Sequence, residues 1–169
     1  MPLNQLKKYP DLLDISGLNI TERKKSLRAV FDRDITNNTN FSFRGKLIRP
    51  IFKEGEIPMD ILFHHLTTVI TDKATRKRDF DMDRSKRLHW VKFHIEEKKQ
   101  SNLLIFSSRD KNGKRTYIFN EDEMYVVILE PKINANKEQY YYLLTAYYLR
   151  GGDKKKIKNK YKRRLQELL

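Results

Sequence analysis

The chain contains no cysteine. That excludes a disulfide framework, a thiolate metal site and a cysteine nucleophile, and it fits a reducing compartment. No apolar run approaches the roughly 20 residues that span a bilayer. The opening residues, MPLNQLKKYPDLL, carry none of the apolar stretch of a secretory leader. The expectation is a cytoplasmic protein with no membrane partner. No glycine-rich phosphate loop of the Walker or dinucleotide type occurs, and no GxSxG elbow. Histidine is limited to His64, His65, His89 and His94. His89 and His94 stand five apart, off a common helical face, and there is no HExxH, so a zinc site is not expected. The carboxylate run DFDMD (79–83) lacks the glycine and closing glutamate of an EF-hand and reads as helix capping. No cofactor is expected.

What is present is positive charge. The net charge is +14 at pH 7, a balance that points to a polyanion, with nucleic acid first and an anionic membrane surface second. The stretch 150–169 holds nine cations against two carboxylates, half of the surplus of the whole chain. Lys154, Lys155, Lys156, Lys158, Lys160, Lys162, Arg163 and Arg164 are therefore candidate RNA-phosphate contacts. Lys46, in the extended stretch FRGKLIRP, is another.

The length suggests one domain, with residues 1–60 as an N-terminal helical and extended segment and 61–169 as the main unit. Asn19 with Glu22 forms a capping box, and Leu27, Val30, Phe31 and Ile35 follow at helical spacing. TNNTN (36–40) is a loop, and FSFRGKLIRPIF, from Phe41, a strand or extended segment ending near Pro50. Pro58 opens a short helix, TDKATRKRDFD (71–81) is a charged loop and candidate lid, and a further helix runs from Asp81 or Asp83 to about Lys98. The second half changes period: NLLIFSS, KRTYIFN, MYVVILE and QYYYLLTAYYL read as four strands with short connections. After Gly151-Gly152, the stripe Ile157, Tyr161, Leu165 and Leu168 marks a basic helix. The fold class is α+β: N-terminal helices packed on a four-stranded antiparallel β-meander, with a basic C-terminal helix.

RNA cleavage without a metal needs a base for the 2′-hydroxyl, an acid for the leaving 5′-oxygen and cations for the phosphorane. HH at 64–65 and RSKRLHW at 84–90 supply those residue types. In the last strand, period-two alternation puts Tyr141, Thr145 and Tyr147 on one face. A tyrosine-rich strand is unusual as a fully buried one, so this face is expected to meet a phosphate or base.

The strings DMDRSKRLHWVKFHI, GKRTYIFNEDEMYVVILEP and YYYLLTAYYL, followed by KNKYKRR, resemble the phage- and toxin-associated ribonucleases of the barnase–EndoU–colicin–RelE-like superfamily. The resemblance covers residues 63–164. It implies a metal-independent endoribonuclease that acts as a toxin or in phage–host conflict. It further implies tRNA, mRNA or rRNA as target, 2′,3′-cyclic phosphate ends, and a cognate inhibitor or immunity protein. On the matching positions it assigns Arg84, Arg87, His89, Trp90 and Thr145, with His65 or His64 from the preceding helix. A non-catalytic nucleic-acid-binding module is the alternative, and a protein-interaction component a third reading.

Overall fold

The computed structural model describes residues 3–169; Met1 and Pro2, at the start of the 1–60 segment, lie outside the described residues. The helices are α1 (Ile20–Phe31), α2 (Pro58–Thr67), α3 (Met82–Ser85), α4 (Trp90–Ile95) and α5 (Asp153–Lys162). The strands are β1 (Ser42–Phe43), β2 (Lys46–Arg49), β3 (Thr68–Asp72), β4 (Lys77–Phe80), β5 (Leu103–Asp110), β6 (Gly113–Asn120), β7 (Tyr125–Ile133) and β8 (Gln139–Tyr148). The class is α+β.

The main sheet has six strands, in the order β1-β2-β8-β7-β6-β5, and is mixed rather than a four-stranded antiparallel meander. Strands β5 to β8 pair antiparallel as chain neighbours, and β2 joins the outer edge of β8 in parallel. The segment from Phe41 to Pro50 is extended but forms two short strands rather than one. Arg44 and Gly45 both take positive φ, 49° and 80°, which folds the stretch into the β1–β2 hairpin. β2 reaches β8 only at Tyr141 and Tyr142, leaving the rest of that edge without a strand, and α2 and α3 pack there. The charged loop expected at 71–81 is largely the β3–β4 hairpin. Asp72 accepts from the backbone N–H of Ala74 at 2.9 Å, closing its turn, and Thr71 donates across it to Asp79 at 2.7 Å.

Two hydrophobic clusters sandwich the sheet. On one face Leu27, Val30 and Phe31 of α1 join Phe63 and Leu66 of α2, Trp90 of α4, and Ile118, Tyr125, Val127 and Leu143 of the sheet. This core runs across residue 60 without a break. On the other face Ile157 of α5 meets Phe106, Tyr117, Phe119 and Val126, and the Tyr161 ring stands edge-on to Phe106 at 5.3 Å. Leu165 continues no helical stripe: α5 ends at Lys162, and the Leu165 N–H donates to the Ser107 carbonyl at the sheet edge, 2.8 Å away.

The helix expected from about residue 82 to 98 is broken between Ser85 and Trp90. The N-terminal segment inserts at the break. The Leu13 N–H takes the Lys86 carbonyl at 2.9 Å, and the Asp11 carbonyl accepts from the Trp90 indole at 3.3 Å and contacts His89 Nε2 at 2.8 Å.

Candidate active site and nucleic-acid surface

Four of the expected residues, Arg84, His65, Thr145 and Tyr147, converge where α2 and α3 meet the strandless part of the β8 edge. Arg84 Nη1 donates to the His65 carbonyl at 2.8 Å and to Thr145 Oγ1 at 3.1 Å. Its guanidinium stacks on the Tyr147 ring at 5.1 Å. The Arg84 Nε is buried with no hydrogen-bond partner among the described residues, and no carboxylate forms an ion pair with the side chain. Burial, opposed by Asp81, lowers its pKa from the ordinary arginine value. Leaving a half-buried guanidinium without an anion is costly.

The Leu144 backbone, one residue before Thr145, stands close enough to the His65 ring to favour its protonated form. Burial and then the Arg78 and Lys53 charges push its pKa down to about 4, so the imidazole is neutral at pH 7. His64 is exposed, with its pKa lowered by desolvation, Arg78 and Lys24. Tyr147 keeps its proton through neutrality, because burial and the Asp153 charge raise its pKa. The cluster therefore holds a neutral imidazole, a hydroxyl, a phenol and an unneutralised cation.

Asp81 caps α3 by accepting from the Arg84 N–H at 2.9 Å, and Arg150 clamps Asp81 and Asp83 at 3.1 and 2.7 Å. Those carboxylates are committed to fixing α3. Among the described residues no group of three metal-ligating side chains stands together.

Other expected site residues lie elsewhere. Arg87 diverges from Arg84: it packs over the Tyr148 ring at 4.2 Å and its Nη1 donates to the Asp83 carbonyl at 2.8 Å. Tyr148 follows Tyr147 and projects from the opposite face, so the two arginines are separated by the pleat. His89 is buried against the N-terminal segment, with its pKa pushed down to about 4 chiefly by desolvation. It does not reach the cluster, because the helical break turns it toward Asp11.

Tyr141 does not share a face with Thr145 and Tyr147. Ile128 pairs with Thr145 but Leu129 pairs with Leu143, so Leu144 is an extra residue, a β-bulge that inverts the alternation. Tyr141 is buried in the helix-side core, tilted against Phe43, and its hydroxyl donates to the Leu169 carbonyl. Lys46 sits over the Tyr141 ring at 5.5 Å. Thr145 is four residues along the strand from Tyr141, roughly 13 Å away.

The cations of α5 and of the two residues after it fall into two groups. Lys156 pairs with Asp153, Lys158 with Glu121 and Lys160 with Asp110, at 3.3, 2.9 and 2.8 Å. Lys154, Lys155, Lys162, Arg163 and Arg164 have no carboxylate partner among the described residues. Arg163 and Arg164, just past the end of α5, donate to backbone carbonyls of its last turn, Asn159 and Tyr161.

Sequence reading missed Arg78 and Lys53, which set the charge around His65. The signal for Arg78 was the basic run TRKR (75–78) after the histidine helix, which a hairpin rather than a loop brings back onto α2; Lys53, alone before α2, gave none. No helix among the described residues is long and apolar enough to cross a membrane. No family model, curated protein or solved structure matches the chain.

Proposed function

We propose that the protein is a metal-independent endoribonuclease whose active site is the Arg84–Thr145–His65–Tyr147 cluster. The observation that carries this reading is Arg84: a half-buried guanidinium with no carboxylate partner, donating to the Thr145 hydroxyl and to the carbonyl of His65, whose imidazole is neutral at pH 7. Such a group suits a phosphodiester, whose charge grows in the transition state. The free His65 nitrogen takes the 2′-hydroxyl proton, O2′ bonds to phosphorus, and the phosphorus–O5′ bond breaks. Tyr147 returns a proton to the 5′-oxygen, and a 2′,3′-cyclic phosphate remains. Arg84 and the Thr145 hydroxyl hold the non-bridging oxygens. The family resemblance supplies the setting: a cytoplasmic toxin or phage–host conflict enzyme acting on tRNA, mRNA or rRNA, with a cognate inhibitor or immunity protein.

The test is incubation with total RNA in EDTA. Cleavage to 2′,3′-cyclic ends is expected, with a loss of about 100-fold or more in Arg84→Ala and His65→Ala. Full activity in both variants removes this site; intact RNA at stoichiometric protein removes the enzyme. The five unpaired tail cations favour the second reading, a non-catalytic nucleic-acid-binding module, which gives salt-sensitive RNA binding with no products.

A further inference from the structure

Two cavities meet at His64. One, of about 590 Å³, lies between α1, α2 and the β3–β4 hairpin. The other, about 610 Å³, opens beside it toward Lys53, Arg76 and Arg78, and His64 and Asp60 line both. Each is of a size that holds a small ligand.

The first cavity has apolar walls, Ile20, Leu27, Phe63 and Phe80, under a basic rim. Ile20 and Phe80 are 82% and 40% exposed, so two large apolar side chains are left open at its mouth. Among its charged residues, Arg28 and Asp60 neutralise each other at 2.7 Å. Arg23 has no carboxylate partner among the described residues; its guanidinium lies over the Phe80 ring at 4.8 Å. Lys24 stands close enough to His64 to lower its pKa. The hydroxyls of Thr67 and Thr68 are already donated to the Phe63 and His64 carbonyls. This cavity thus offers flat aromatic surface and positive charge, and few free groups to read a base edge. The second cavity sets Lys53, Arg76, Arg78 and the two histidines against the carboxylates Glu56 and Asp60, of which Asp60 is paired with Arg28, so cations are in excess, as suits a phosphate.

We propose that this pair of cavities is a nucleotide subsite: a base stacks in the α1–α2–hairpin cavity while its phosphate lies past His64 among Lys53, Arg76 and Arg78. In the endoribonuclease reading, on which this placement in the enzyme rests, it holds the nucleotide next to the cleaved linkage, since His65 lines the phosphate cavity. Binding is by stacking and charge, so purines with their larger faces bind more tightly than pyrimidines.

Calorimetric titration of the full chain with AMP, UMP, adenosine and inorganic phosphate tests this without any cleavage assay. AMP should bind tighter than UMP, and at least tenfold tighter than inorganic phosphate. Phe80→Ala should weaken AMP by about fivefold or more, the fold-change equivalent of about 1 kcal/mol of stacking, and leave phosphate binding unchanged. Arg78→Ala should weaken AMP and phosphate alike. Phe80 is partly exposed, so its truncation spares the core; matching melting curves confirm that each variant is folded. AMP binding no tighter than phosphate overturns the subsite, as does AMP affinity unchanged by Phe80→Ala or a preference for laurate over AMP. Tight AMP binding by a protein that cuts no RNA supports the subsite and defeats the enzyme reading. Cleavage by a protein indifferent to AMP does the reverse.

Discussion

Arg84 and His65 show how burial tunes chemistry at single side chains. A histidine with a pKa of about 4 is a weaker base than an unperturbed one, but it is in its basic form over a wider pH range. Desolvation is the first cause of the shift and Arg78 the second. The acid limb of kcat/KM for RNA cleavage should therefore lie near pH 4 in the free enzyme, well below the ordinary histidine value. Arg78→Ala removes a positive neighbour that disfavours the imidazolium, so the limb should move upward, toward 6.5. Initial rates measured from pH 4 to 8 on protein verified as folded decide the matter. A limb near 6.5 in the wild type, or one unmoved in Arg78→Ala, would show that His65 is not the base. His94 has the same low value, again chiefly through burial. It is sealed in the core between the Trp90 carbonyl at 2.7 Å and the Asn120 amide at 2.9 Å, and has no path to substrate.

At the scale of elements, α5 separates charge that is spent within the fold from charge that is available to a ligand. A phosphate contact releases counterions, and each contributes about 0.7 to the slope of log affinity against log salt for single strands. Lys156, Lys158 and Lys160 must first give up Asp153, Glu121 and Asp110, whereas Lys154, Lys155, Lys162, Arg163 and Arg164 need not. Replacing Lys155, Lys162 and Arg163 together with glutamine should lower the salt slope for a single-stranded RNA by about two units. Replacing Lys156, Lys158 and Lys160 should change it by less than half of that. Equal slopes in the two triple variants, measured by fluorescence anisotropy from 50 to 300 mM salt, would overturn the division.

Elements also mark what could be read from sequence. Capping at Asn19 and the proline-led start of α2 rest on local side-chain geometry, and both ends lie where the residues direct. The parallel β2–β8 pairing joins residues more than ninety positions apart, and no local pattern encodes it. The break between α3 and α4 depends on the Leu13 N–H and the Asp11 carbonyl arriving from a distant segment, so the helical periodicity of 82–98 gave no warning of it. In β8 the alternation of tyrosines was legible, but the bulge at Leu144 was not, because only pairing with β7 reveals an extra residue. That bulge moves Tyr141 into the core and leaves Thr145 and Tyr147 with Arg84. Arg84 and Thr145 could be named from residue type and motif; Arg87 and His89 could not be told apart from them without the turn that sends each elsewhere.

For the whole molecule, the buried histidines tie stability to pH. His89 and His94 are 5% and 0% exposed, and burial pushes both down to about 4. In the unfolded chain each titrates near 6.5. Above that pH both states are neutral and the histidines add no pH dependence. As pH falls below 6.5 the unfolded chain takes up protons that the folded chain refuses, so stability drops until the folded groups themselves protonate near 4. Between pH 7.5 and 5 this amounts to about 2 kcal/mol for each histidine, a sizeable share of a stability of roughly 5–15 kcal/mol. Urea denaturation across this window should show the fall before most carboxylates begin to protonate. His94→Gln replaces the ring with an amide that can still donate to the Trp90 carbonyl and accept from Asn120, but cannot titrate. Its stability should fall by about a third less over the same interval, because His65, also held near 4, contributes alongside His89. A wild-type stability that is flat from pH 7.5 to 5, or a variant as acid-sensitive as the wild type, would show that these histidines titrate freely and that the core around Trp90 and Asn120 is open to water.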